Sequence, residues 1–437
     1  DVQEYLSETY LADAPMVEVS STTGEGIDTL ISTLYTLAQG IPEKDVGHVF
    51  RLPIDRVFSM KGFGTVITGT AVSGRIHSGE EATIYPQRIP SRIRGIQVHN
   101  KEVQEVRAGL RTAVNLQGIE KAVIHRGHIL ATKDSMKPTF MVDVTLDLLA
   151  SAPRKLKNRA KVRFHTGTSE IISTVILLDR DELEPGQTCF AQIRLDEATA
   201  VLRNDRYVLR SYSPVRTIGG GTILNALPRK KKRFSETSLT EIQALHEGEP
   251  EEIVQLFVGQ GRFMGMEQEA LPFLTNMSGK QLEGILKGLM AKGRVVRFDK
   301  ENKILIHTDY LEKARTELLD TISGYHRKFP LKVGLPKEEL RSRTTGSRNP
   351  KLFNFLINQL TREERIVLEK DLVRLENHQV TLAADQQKAR KEIEETYVKN
   401  GLQPPYFKEI KDKFPGNTAL EVLELMHKEG LLVKVKE

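Results

Sequence analysis

Leu52-Pro53-Ile54-Asp55-Arg56-Val57-Phe58, followed by Gly62-Phe63-Gly64-Thr65-Val66-Ile67-Thr68-Gly69-Thr70, is the stretch whose reading decides the fold. β-Branched and aromatic residues alternate with polar ones on both sides of a glycine-rich break, which predicts antiparallel strands. Because Gly62-Phe63-Gly64 leads into a strand, it is not a dinucleotide fingerprint. The same short, glycine-punctuated runs extend from His48 to about Ala226, with almost no helical periodicity between. A first block predicts strands at 49–58, 64–72, 81–85, 91–98, 111–118 and 126–131. After a break at Asp134 to Pro138, a second block predicts strands at 139–148, 161–165, 169–178, 187–195, 206–212 and 215–224. Each block is enough for one small antiparallel barrel, so two barrels in tandem are expected.

Beyond the basic run Arg229-Lys230-Lys231-Lys232-Arg233 the pattern turns helical, and a unit repeats about every seventy residues. Leu289-Met290-Ala291-Lys292-Gly293-Arg294-Val295-Val296, Gln359 to Val367 and Leu425 to Val433 each run from a helix end through a turn into a β-rich segment. That is the signature of a winged helix-turn-helix, whose last helix feeds a two-stranded wing. Ser278-Gly279-Lys280-Gln281 and Thr418-Ala419-Leu420-Glu421 read as capping boxes ahead of the third helix of their units.

Upstream of the barrels, residues 1–43 read as helix, strand (Pro15 to Val19) and helix (Ile27 to Leu37), the last piece of a parallel α/β sheet. Residue 1 is Asp, and the chain stops inside the apolar run Leu431-Leu432-Val433-Lys434-Val435, so a polypeptide cut at both ends is expected. The expected architecture is therefore multidomain: an α/β remnant (1–43), two tandem antiparallel β-barrels (47–133 and 137–228), then mostly α winged-helix repeats at 234–308, 309–383 and, incomplete, 384–437.

A length of 437 residues exceeds one ordinary core. With 39% hydrophobic and 28% charged residues, no apolar run of bilayer length and no signal pattern, a cytoplasmic protein is expected. The lone Cys189 rules out an internal disulfide and any multi-cysteine zinc site. A net charge of +6 is too mild to prove a polyanionic partner, so the distribution of charge has to decide.

The Ile-Asp-Arg variant at residues 54–56, the glycine-rich segment after it and winged helices behind a second barrel together resemble the selenocysteine-specific elongation factors, within the elongation factor Tu group of translational GTPases. The resemblance implies delivery of selenocysteyl-tRNA to the ribosome at a UGA codon recoded by an mRNA hairpin. It implies an amino-acid pocket at Asp55, Arg56 and, in Gly109-Leu110-Arg111, Arg111. A selenol is anionic at neutral pH, so guanidinium groups attract it, while a neutral serine hydroxyl gains far less. Without that context, Asp55 and Arg56 would read as a surface ion pair on a strand edge. The resemblance also implies that Ser20 and Ser21, in Val19-Ser20-Ser21 before Thr23-Gly24-Glu25-Gly26-Ile27, are what is left of a guanine-binding loop; locally an ordinary strand-to-helix loop with a capping serine reads as well. GTP and Mg2+ are implied for the intact family member. The G-x-x-x-x-G-K-[ST], Asp-x-x-Gly and Asn-Lys-x-Asp motifs are absent from these residues, so neither catalytic residues nor a cofactor, metal or GTPase activity is expected of this polypeptide alone. The hairpin's main site is expected in a fourth winged helix outside this sequence.

Basic residues cluster at Arg154, Lys155 and Lys157, at Arg229 to Arg233, and at Arg341, Arg343, Arg348 and Lys351. The first and last are candidate RNA contacts, the last lying around the recognition-helix position of the second winged unit. Arg229 to Arg233 reads as solvated linker charge at a domain boundary. His125 and His128 lack a third ligand and read as structural, and Gly219-Gly220-Gly221 reads as a strand bulge. Two rival readings are another translational GTPase and a winged-helix DNA-binding regulator with the barrels as effector domains.

Overall fold

The computed structural model describes residues 1–437 except 8, 43–45, 61–63, 346–348, 379–383, 412, 414–417, 434, 436 and 437. The predicted Gly62, Phe63 and Arg348 therefore lie outside the described residues. The chain forms two compact units, one of Asp1–Pro138 with His165–Glu170 and Ala198–Ala200, the other of Thr139–Phe164, Ile171–Glu197 and Val201–Glu437.

In the first unit, α1 (Val2–Leu6) and α2 (Ile27–Gln39) precede nine strands: β1 (Arg51–Met60), β2 (Gly64–Thr70), β3 (Arg75–His77), β4 (Glu81–Tyr85), β5 (Ile89–Val98), β6 (Lys101–Val103), β7 (Glu105–Arg107), β8 (Arg111–Gln117) and β9 (Ile129–Thr132). A sheet in the order β4-β9-β1-β2-β8-β5-β6 curls until β4 also pairs with β5, which closes a barrel. Alternation along the strands sends Leu52, Ile54, Ile67, Ile84, Ile96 and Val114 into its core. The predicted strand from Pro15 to Val19 does not form. Among the described residues no neighbouring strand supplies the ladder bonds that would hold it extended in a sheet.

The second unit contains β10 (Thr139–Leu148), β11 (Leu156–Lys157), β12 (Lys161–Thr166), β13 (Ser169–Leu177), β14 (Glu182–Leu183), β15 (Thr188–Thr199), β16 (Arg206–Ser211) and β17 (Thr217–Asn225). Six of these close a barrel in the order β10-β15-β13-β12-β16-β17. Gly219, Gly220 and Gly221 sit where neighbouring backbone comes close: a Cβ at each would lie 2.0–2.5 Å from a carbonyl oxygen of β10 or β16. The recorded register shifts fall in those two neighbouring strands, between Asp143 and Val144 and between Leu209 and Arg210.

Two winged units follow. The first has α3 (Glu236–Glu247), α4 (Pro250–Gln260), β18 (Met266–Glu267), α5 (Leu271–Thr275), α6 (Gly279–Ala291), β19 (Val295–Asp299) and β20 (Ile304–His307). The second has α7 (Thr308–Lys328), β21 (Leu335–Pro336), α8 (Lys337–Arg343), α9 (Pro350–Arg362), β22 (Ile366–Glu369) and β23 (Leu372–Leu375). Their sheets are equivalent, β18-β20-β19 and β21-β23-β22, so each unit pairs a short first strand with a hairpin wing. Ser278 caps α6 as its sequence predicts, accepting from Gln281 N. Three helices end the chain, α10 (Ala384–Asn400), α11 (Phe407–Lys411) and α12 (Thr418–Lys428). Thr418 is the first helical residue of α12 and not its cap, and the predicted strand after Leu431 is not formed among the described residues.

The run Arg229 to Arg233 is only in part solvated linker charge: Arg229, Lys230 and Lys232 are exposed, whereas Lys231 and Arg233 are drawn into the fold. The Lys231 side chain is only 7% exposed, its Nζ 2.7 Å from Glu241 on α3 and 3.8 Å from the fully buried Asp143 on β10. Gln192 ties the strap down, donating to Asp143 at 2.7 Å and to the Arg229 carbonyl at 2.9 Å while accepting from Lys231 N at 3.0 Å. Arg233 donates to the carbonyls of Leu177 and Arg180 and pairs with Asp181 at 2.7 Å. Burial pushes the Asp143 carboxyl up to about 7 despite the nearby ammonium. A run of cations alternates between core and surface here because acceptors distant in sequence wait on the barrel and on α3. Among the described residues, no helix is long and apolar enough to cross a membrane.

Candidate functional site

Asp55 stands at an irregularity in β1: Ile54 pairs with Gly69 and Arg56 with Thr68, leaving Asp55 as the extra residue of a bulge. A bulge re-aims side chains and breaks strict alternation, so adjacent residues need not face opposite ways. Asp55 reaches across β2 to Arg111, the first residue of β8, and the two form a fork-to-fork pair. Arg111 Nη1 donates to one carboxylate oxygen and Nη2 to the other at 3.1 Å. Thr68 Oγ1, on the strand between, donates to Asp55 at 2.8 Å. The Arg111 bond is the largest influence holding the Asp55 carboxyl below its ordinary range; Thr68 adds to it, and so does the nearby charge of Arg56.

The structure thus places the three predicted residues Asp55, Arg56 and Arg111 on two strands of one barrel, β1 and β8, with β2 between them. Arg56 is exposed and, among the described residues, its side chain makes no hydrogen bond or ion pair. Two positive groups around one carboxylate leave the trio with a surplus positive charge. Arg111 commits two of its five N–H donors to Asp55 and keeps the others, with its side chain 53% exposed. Asp55 in turn has three acceptor positions filled and room for one more donor.

Thr68 and Gly69 are the contributors that sequence reading left without a role, although both lie in the stretch that decides the fold. A Cβ on Gly69 would sit 2.2 Å from the Pro53 carbonyl oxygen and 2.6 Å from Leu52 Cδ2. Gly69→Ala is expected to force β1 from β2 beside the bulge and destabilise the first barrel by about 2 kcal/mol. Urea unfolding checks this, and a change within the ordinary surface range of about 0.5 kcal/mol would contradict it.

The loop from Ser20 is closed on itself. Ser20 N donates to the Glu25 carbonyl at 3.0 Å, Gly24 N to the Ser20 carbonyl at 2.9 Å, and Thr23 N to Ser20 Oγ at 3.3 Å. Gly26, at φ +73°, lets the chain turn into α2; a Cβ there would lie 2.0 Å from the Glu18 carbonyl oxygen. Ser21 N has no recorded acceptor among the described residues, so an amide remains for a carbonyl ligand.

The predicted RNA contacts are largely engaged by the protein itself. Lys155 and Lys157 both pair with Glu182 on the partner strand of β11, while Arg154 has no ion pair among the described residues. Arg341 and Arg343 lie in the last turn of α8, the helix before the recognition helix, paired with Glu338 at 2.7 Å and with Glu339 at 2.5 Å. Only Lys351 belongs to the recognition helix α9, and it pairs with Asp299 at 3.0 Å and Glu301 at 3.1 Å.

Comparison with known proteins follows the same division of the chain. Residues 64–131 match the family model of elongation factor Tu domain 2, residues 142–230 that of the selenocysteine-specific elongation factor β-barrel domain, and residues 319–375 that of the elongation factor SelB winged helix. A selenocysteine-specific elongation factor of Desulfomicrobium baculatum is 39% identical over 443 residues, taking in 100% of this chain and 69% of the relative. One from Escherichia coli is 26% identical, with 88% of this chain and 59% of the relative aligned. The crystal structure of a bacterial selenocysteine-specific elongation factor, EF-Sec, shares the fold at a TM-score of 0.67 and 18% identity, over 100% of this chain and 76% of that one. The likeness runs through both barrels and the winged units at once, and by it this chain belongs to the selenocysteine-specific elongation factor family.

Proposed function

We propose that this chain holds the aminoacyl end of selenocysteyl-tRNA on its first barrel, as the tRNA-binding part of a cytoplasmic factor that delivers selenocysteine to the ribosome at hairpin-marked UGA codons. The observation that carries the reading is the Asp55–Arg111 fork with Arg56 beside it: a surplus-positive cluster that spans β2 from β1 to β8. A selenolate brings a full negative charge to the free N–H groups of Arg111 and to Arg56. A serine hydroxyl on the same tRNA can accept from the same guanidinium groups but carries no charge, so it gains no ion-pair attraction. Asp55 fixes the plane of the Arg111 guanidinium and keeps one acceptor position for the aminoacyl ammonium. Selection by charge needs no difference in side-chain size, which suits two amino acids that differ in one chalcogen atom.

Nucleotide enters this account only at the edge of the base. Ser20 and Ser21 stand on a loop whose amide at Ser21 is open to a guanine carbonyl oxygen. The 437 residues contain no phosphate loop and no Asp-x-x-Gly, so they fit the base and not the phosphates or Mg2+ of GTP, and no step is drawn through the nucleotide.

Retention of charged tRNA by the purified chain tests the reading. The chain should hold selenocysteyl-tRNA in preference to seryl-tRNA made on the same tRNA, and equal retention of both would overturn it.

A further inference from the structure

The recognition helix of the second winged unit faces a groove that the aminoacyl reading leaves unused. Helix α9 buries Leu352, Phe353, Leu356, Ile357 and Leu360. Its opposite face turns Lys351, Asn354, Asn358 and Arg362 outward at helical spacing, all four exposed. Across from it stands the wing of the first winged unit, with Arg297 and Lys300, and the space between measures about 720 Å³.

The two walls are fixed to each other. Phe298 and Ile306 of the first winged unit share one buried cluster with Leu352, Leu356 and Ile357. The Phe298 and Phe355 rings meet at an angle with centroids 6.4 Å apart, and Asn349 Nδ2 donates to the Met264 carbonyl at 3.0 Å. The Lys351 ammonium bridges Asp299 and Glu301 at 3.0 and 3.1 Å. A groove already in its final shape spares a ligand most of the cost of ordering it.

Charge decides what the groove suits. Its carboxylates are all engaged, Asp299 and Glu301 by Lys351 and Glu363 by Arg315. Of its four cations Lys351 is committed to those carboxylates, but the other three are not: among the described residues Lys300 and Arg362 make no ion pair, and Arg297 donates to the uncharged Gln268 amide at 2.7 Å. An anionic partner is therefore favoured. Between the cations lie two side-chain amides, Asn354 and Asn358, each offering the donor and acceptor that read the edge of a base. A space of small-molecule size has room for an unstacked nucleotide.

We propose that the groove between the β19–β20 wing and helix α9 binds an unpaired stretch of RNA, with phosphates on Lys300 and Arg362 and a base edge on Asn354 and Asn358. The choice of RNA over DNA rests on the tRNA-carrying reading above; the groove's preference for a single-stranded polyanion does not.

Fluorescence anisotropy of a short, labelled, unstructured RNA with the full chain tests the proposal. The chain carrying both Asn358→Ala and Arg362→Ala should bind roughly tenfold more weakly and show a salt dependence shallower by about one phosphate contact. Thermal unfolding of that variant should match the parent, because both side chains are exposed. An Arg56→Ala/Arg111→Ala chain should bind the same RNA as the parent does. Unchanged binding by the groove variant, lost binding by the barrel variant, or tighter binding of a duplex would each overturn the site. Single-stranded DNA bound as well as RNA would overturn the assignment to RNA. Failure of the aminoacyl reading is seen separately, in the comparison of selenocysteyl-tRNA with seryl-tRNA.

Discussion

Replacing Lys231 with methionine should destabilise the second unit by about 3 kcal/mol at mildly alkaline pH. Methionine keeps most of the apolar length of the lysine, so the loss measures charge and not packing. The variant leaves Asp143 buried with only Gln192 as a donor. The cost stays at the low end for a stranded charge because Asp143 can take up a proton instead. Asp143 already has its carboxyl raised to about 7 in the folded protein. A raised acid supports the folded state in full below its unfolded value near 4 and loses that support as pH rises through the folded value. Removing the Lys231 cation raises the folded value further, so the deficit of the variant should widen above about pH 7 and narrow below it. Chemical denaturation across pH reads this directly. Adding Asp143→Asn to Lys231→Met should recover most of the stability, since no buried charge is then left without a partner. A deficit that grows toward acid pH would contradict the assignment.

The second large effect belongs to the barrel surface. A chain carrying Arg56→Ala and Arg111→Ala should lose about 100-fold in affinity for selenocysteyl-tRNA and less than about threefold for seryl-tRNA, a difference of roughly 2 kcal/mol. Both guanidinium groups are well exposed, so their removal should leave the fold intact. The Asp55 carboxylate would lose its strongest stabilising bond but keep the one from Thr68 and its access to water. Equal losses for the two charged tRNAs would mean that the arginines hold the nucleic acid and not the amino-acid side chain.

Much of this architecture is legible in the sequence because it rests on local periodicity. The predicted bounds of β4 at Glu81–Tyr85 and β10 at Thr139–Leu148 are those observed, and most other barrel strands fall within two or three residues of prediction. Both barrels and both complete wings follow from alternation, glycine breaks and repeat spacing. The misses are non-local. Pro15 to Val19 and the run after Leu431 have strand-like composition, but a strand exists only where another chain segment completes its ladder. Arg229 to Arg233 looks like linker charge because the partners of Lys231, Asp143 and Glu241, are brought to it by tertiary folding. Where a partner is close in sequence, more was available to read: Glu338 and Glu339 lie one helical turn before Arg341 and Arg343, enough to foresee that those cations are paired. The proposed pocket residues Asp55, Arg56 and Arg111 came from family resemblance, whereas Thr68 and Gly69 needed the register of β1 on β2 to be placed beside them.

Selection by charge makes one demand that selection by shape does not. The preference of the parent chain for selenocysteyl-tRNA over seryl-tRNA should collapse as pH is lowered through the titration of the selenol, because a protonated selenol offers the arginines no more than a hydroxyl does. Seryl-tRNA affinity over the same range serves as the control for any general effect of acid. A preference that persists unchanged once the selenol is neutral would contradict the account.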